Sequence, residues 1–173
     1  WENYQKKLVA QGEKDRKAGR FARGFKGAYH AGRSFERLVG TRIDPSIEFE
    51  WRYSRPHRKA PSDDFSIRWD GYVDIPSRGL WRFMTVANDG VRVWVDGELI
   101  IDEWSDYPAT EHAGSFAFTA GRYYRVELEY YENQGHVYMT LEWLRPSGTR
   151  ERIGCASLVP ELPEEAVVLI SPP

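Results

Sequence analysis

At 173 residues the chain is long enough for one domain with extensions and for a substantial buried core. Its formal charge of -2 and pI near 6.1 give no global basis for binding nucleic acid or a membrane surface, and no apolar run approaches the roughly 20 residues of a membrane span. Cys155 is the only cysteine, which excludes an intrachain disulfide and a Cys-based zinc site.

Residues 1–22 are charged and rich in helix formers, so they predict a basic N-terminal helical or partly ordered extension. Trp1, Tyr4 and Leu8 recur there at helical spacing, which fits packing on a neighbouring surface. Residues 1–40 carry ten Lys or Arg against four Asp or Glu; a solvated face is the simpler reading, an anionic partner the other. Trp1 is neither an initiator nor part of a signal-peptide pattern, so the chain reads as a mature or excised fragment.

From residue 23 to 159 the texture is that of an all-β domain, and the aromatic content of 14% agrees with it. In residues 65–75, Phe65, Ile67, Trp69, Gly71, Val73 and Ile75 fall on one face of a strand and Ser66, Arg68, Asp70, Tyr72 and Asp74 on the other. A turn at 76–79 leads to a strand over 80–87. Residues 86–104, VANDGVRVWVDGELIIDEW, then read as a β-hairpin with two polar turns, Asn88-Asp89-Gly90 and Asp96-Gly97. A polar excursion over 102–114 precedes strands at 115–119, 123–131 and 137–144; in the second, Tyr124, Val126, Leu128 and Tyr130 oppose Arg125, Glu127 and Glu129. About eight strands on short turns predict an antiparallel, barrel-like β-sandwich. Residues 160–173 are Pro-rich and read as a tail or linker.

Catalytic chemistry finds little support. There is no Gly-x-Ser-x-Gly elbow, no phosphate loop and no His-x-x-x-His pair, and the four His are scattered singly. The acidic pairs Asp63-Asp64, Asp102-Glu103 and Glu164-Glu165 are most simply turn or surface residues, and a compact sandwich offers little groove for a hydrolytic pair. The oxygen-rich loop residues Asn88, Asp89, Asp96, Asp102, Asp106, Glu132 and Asn133 are of another kind: hard cations take six to eight oxygen ligands, which adjacent β-turns can bring together. Asn and Asp are also ordinary turn residues, and at Asp96-Gly97 the turn role suffices.

Four segments carry a family resemblance: GFKGAYHAG, DPSIEFEW, the stretch DDFSIRWDGYVDIPSRGLWRFMTVANDGVRVWVDGELIIDEW, and TAGRYYRVELEYYENQGHVYMTLEW. Together they make residues 24–157 resemble the protective-antigen fourteen-kilodalton domain family, a β-sandwich module of toxins, glycosidases and adhesins. The resemblance implies a non-catalytic module, often glycan-binding, usually outside the cell or on its surface (or periplasmic) and attached to a larger protein. It also implies that Asn88 and Asp89, joined by a cis peptide, hold calcium together with Asn133, with Asn88 standing where sugar-binding members have Asp. Asp89, Trp104, Tyr107, Asn133 and Gln134 are the corresponding candidate carbohydrate contacts, and no catalytic residue is expected. The other function the residues allow is a structural or protein-interaction domain that packs on neighbouring domains and binds neither sugar nor metal.

Overall fold

In the computed structural model, which describes residues 24–120, 123–153 and 158–159, the regular elements are all β-strands. In chain order they are β1 (Phe25–Ala31), β2 (Arg37–Asp44), β3 (Glu48–Arg52), β4 (Phe65–Asp74), β5 (Gly79–Asn88), β6 (Val91–Val95), β7 (Glu98–Glu103), β8 (Thr110–Phe118), β9 (Tyr123–Glu132), β10 (Val137–Leu144), β11 (Arg150–Arg152) and β12 (Leu158–Val159). The expected helical extension at 1–22 and the tail at 160–173 lie outside the described residues.

These strands form two antiparallel sheets. One runs β2-β1-β4-β9-β6-β7, with β12 pairing onto β4 at Tyr72 and Val73, past the end of β1. The other runs β11-β10-β5-β8, with β3 sharing the outer edge of β10 with β11. The alternation read in the sequence sets which side faces the partner sheet. Phe65, Ile67, Trp69 and Val73 of β4 are fully buried, as are Val126, Leu128 and Tyr130 of β9.

Between the sheets the core is aromatic. Trp69, Trp81 and Trp143 are buried with Tyr29, Tyr124, Tyr130, Phe25, Phe65 and Phe83, and Trp81 meets Trp143 edge to face at 4.8 Å. Each buried indole N–H has an acceptor: Asp44 for Trp69 at 2.7 Å, the Ser77 carbonyl for Trp81 at 3.3 Å and Glu151 for Trp143 at 2.7 Å. Asp44 is itself buried, and it also accepts from the Tyr29 hydroxyl and from Arg42 Nε, both at 2.5 Å. These three donors satisfy the hydrogen-bonding needs of the buried Asp44 side chain.

The stretch 86–104 departs from the single hairpin expected of it. β6 and β7 do form a hairpin, closed by Asp96 and Gly97, both at positive φ. β5, however, belongs to the opposite sheet from β6, so Asn88-Asp89-Gly90 carries the chain from one sheet to the other at an end of the sandwich. The reason lies in the neighbours: β6 takes β9 as its partner, pairing Val91 with Tyr130, while β5 pairs with β8 and β10. The strand over 115–119 also proves longer. β8 begins at Thr110 and pairs with β5 from Gly79 to Ala87, its small and polar residues having masked the strand pattern. Gly114 in its middle admits the backbone of β7, since a Cβ there would lie 1.9 Å from the Ile100 carbonyl oxygen.

Candidate functional site

Five connections meet at the end of the sandwich where β5 crosses to β6. Their meeting is fixed by backbone bonds. Asp64 N–H, just before β4, donates to the Asn133 carbonyl at 3.0 Å, and Tyr131 N–H donates to the Gly90 carbonyl at 3.0 Å. Gly32 N–H, in the β1–β2 loop, donates to the Asp64 carbonyl at 2.7 Å, and the Ser66 hydroxyl holds the same loop by donating to the Gly32 carbonyl at 2.7 Å. Gly90 permits a close approach, for a Cβ there would sit 2.1 Å from the Tyr131 ring.

Asp89 is the centre of this arrangement. It is only 6% exposed, its peptide bond with Asn88 is cis, and its Oδ2 accepts the Asn133 N–H at 2.9 Å. The Tyr107 N–H also donates to it. Burial first, and then the charge of Asp106, raise its carboxyl above the usual range, while the Asn133 and Tyr107 N–H groups pull the other way. Asp106, exposed, accepts from Asn133 Nδ2 at 3.0 Å and from the Tyr131 hydroxyl at 2.7 Å. Asn88 directs its Nδ2 to the His136 carbonyl at 2.8 Å, tying the crossing to the β9–β10 loop.

Beneath Asp89 lies a second acidic group that sequence reasoning grouped with the loop oxygens and then left aside. Glu132 is fully buried, its Oε2 is 2.9 Å from the Tyr130 hydroxyl, and its Oε1 has no hydrogen-bond partner. The same Tyr130 hydroxyl donates to the Asn88 carbonyl. Burial, with the fields of Asp89, Asp63 and Asp106, pushes Glu132 up to about 7, against the pull of the Tyr130 bond. A hydroxyl has one proton and cannot donate to two acceptors at once. Protonated Glu132 resolves this by donating to Tyr130, which donates onward to Asn88. The signal was present in the alternation of β9, where Glu132 continues the inward series of Val126, Leu128 and Tyr130.

The structure thus brings together Asn88, Asp89, Asn133 and, through its backbone, Tyr107. Gln134 is exposed one residue beyond Asn133. Trp104 is engaged in ring contacts: it meets Tyr131 edge to face at 4.7 Å, stacks with Phe35 at 6.1 Å and lies 4.5 Å from the Arg92 guanidinium carbon. Arg33, which the sequence did not single out, and Asp64, expected only as a turn or surface residue, form an ion pair of 3.5 Å in the same loop cluster, and the charge of Arg33 is felt at Asp89. Asp102 lies elsewhere, paired with Arg92 at 2.7 Å on the outer face, and Asp96, in the β6–β7 turn, ties that turn to β9 by accepting the Arg125 N–H at 2.8 Å. Among the described residues there is no cluster of three or more His, Cys, Asp or Glu side chains set to hold a metal ion. A cation here would therefore draw on amide and backbone oxygens as well as carboxylates, a donor set that suits calcium. The orphaned Glu132 oxygen and the buried Asp89 carboxylate fit such a charge.

The fold is thus a two-sheet antiparallel sandwich with polar loops gathered at one end. The PA14 domain family matches residues 22–157, and the chain belongs to that family. The anti-sigma-I factor RsgI3 of Acetivibrio thermocellus is 37% identical over 147 residues, which cover 83% of this chain and 23% of that protein. The solved structure of an anti-sigma factor domain-containing protein has a TM-score of 0.78 at 36% identity, covering 81% of this chain and 49% of the other. The PA14 sugar-binding domain of an RTX adhesin shares the fold, with a TM-score of 0.71 at 17% identity over 81% of this chain and 99% of its own. The chain therefore spans about a quarter of the curated relative and about half of the first solved one.

Proposed function

We propose that this PA14 domain is a non-catalytic carbohydrate-binding module of a larger protein that acts outside the cell or at its surface, and that it binds its glycan through calcium. Asn88, Asp89 and Asn133 would hold the ion. The observation that carries this reading is Asp89, a residue only 6% exposed at a sandwich end whose carboxylate is tied by the Asn133 N–H to a loop of amide and carboxylate groups. An ion held there would supply open coordination positions for neighbouring sugar hydroxyls. The protein's own part is to orient the loops: Tyr107 and Gln134 would offer sugar contacts beside the ion, and Trp104, held by Phe35 and Tyr131, would offer another. A shared fold with a sugar-binding PA14 domain supports the reading.

A second reading has its own observation. The relatives above 30% identity are anti-sigma factor proteins of which this chain spans only a part, which favours a domain that works on its neighbours in a larger assembly. Retention on immobilised polysaccharides, measured with calcium and with chelator, separates the two. Calcium-dependent retention that Asp89→Ala abolishes supports the glycan module. Equal behaviour of wild type and Asp89→Ala in both buffers supports the assembly role.

A further inference from the structure

Asn88 leaves the expected ion site with a single formal charge among its three side chains. A divalent cation drawn out of water by one carboxylate and two amides is poorly compensated. Additional charge is at hand in Glu132. Its side chain points inward from β9, immediately before Asn133, and is fully buried. Oε2 is linked through the Tyr130 hydroxyl to the backbone of Asn88, so Glu132 and the crossing loop share one hydrogen-bonded hub. Oε1 is buried with no partner. The carboxylate also stands in the fields of Asp89, Asp63 and Asp106, whereas Arg33, already paired with Asp64 at 3.5 Å, is the cation felt at Asp89.

We propose that Glu132 is a ligand of the cation site, its unpartnered Oε1 supplying the second negative charge that Asn88 does not. A buried carboxylate with one idle oxygen costs stability in the ion-free protein. That cost has a function if the oxygen is held ready for a cation. The proposal rests on the calcium reading above and goes beyond it, because it makes Glu132 part of the site and gives the chain a charge arrangement different from that of two adjacent Asp.

Calcium titration calorimetry on the full chain tests it, with wild type, Glu132→Gln and Asp89→Asn compared at one pH. Gln fills the same volume, and its NH2 group can donate to Tyr130, so circular dichroism in chelator should show an intact fold. The expected result is that wild type binds, Asp89→Asn loses binding, and Glu132→Gln is weakened at least tenfold. Adding Asn88→Asp to Glu132→Gln should restore much of the affinity, and terbium luminescence provides a second readout should the heats be small. Wild-type affinity in Glu132→Gln would overturn the role of Glu132 and leave the calcium reading standing. No calcium binding by wild type would overturn both.

Discussion

At the scale of single residues, two buried carboxylates show how the same side-chain chemistry serves opposite ends. Asp44 is held by Tyr29, Trp69 and Arg42, and each of its oxygens has a donor. Asp44→Ala strands the buried Tyr29 hydroxyl and Trp69 indole N–H, while Arg42 is exposed and can turn to water, so a loss of about 2–5 kcal/mol is expected in denaturant unfolding. Glu132 is only half satisfied, and its folded carboxyl titrates near 7, above its unfolded value. A raised folded value means that the protonated group favours the fold. Its contribution is complete below the unfolded value and is lost as pH rises through about 7, an effect on the order of 3 kcal/mol for a shift of this size. In calcium-free buffer the melting temperature should therefore fall between pH 5 and 8, and Glu132→Gln should flatten that fall and melt higher than wild type at pH 8.

Among the elements, the connections rather than the strands set the geometry of the site. The β6–β7 turn is independent of it: Gly97 sits at φ 81° with nothing within 4 Å of an added Cβ. Gly97→Ala should cost roughly 1 kcal/mol through its backbone conformation and leave calcium affinity unchanged, as thermal melts and calorimetry would show. Gly114 is a different case, because the Ile100 carbonyl occupies the space a methyl group would need. Gly114→Ala must part β7 from β8, and a loss of about 1–3 kcal/mol is expected in unfolding measurements.

Taken as a whole molecule, the sandwich was largely legible in the sequence because its long strands, β4 and β9 above all, alternate cleanly between the aromatic core and a charged outer face. β8 escaped in part, since Ala113, Gly114 and Ser115 carry little strand signal until β5 is seen beside them. The division of 86–104 between two sheets was illegible for a related reason. Local alternation says that β5 and β6 are strands, but their choice of partners depends on β8, β9 and β10, far along the chain. The candidate site was read in outline. Asn88, Asp89 and Asn133 came from the family resemblance, and the structure brings them together; Arg33, Asp64 and Tyr131 join them only because loops distant in sequence meet at one end. Trp104, a candidate sugar contact by resemblance, is met by Phe35 and Arg92 from other elements, which local sequence does not reveal.

The central claim is that this end of the sandwich binds calcium through Asp89. Its most direct measurement is the thermal melt of wild type and Asp89→Asn at neutral pH, with calcium and with chelator. An ion present at a hundredfold excess over its Kd stabilises the folded state by about 2.7 kcal/mol, on the order of 10 °C for a domain of this size. The account predicts such a rise for wild type and none for Asp89→Asn. A wild-type melting temperature that is the same in calcium and in chelator would contradict it.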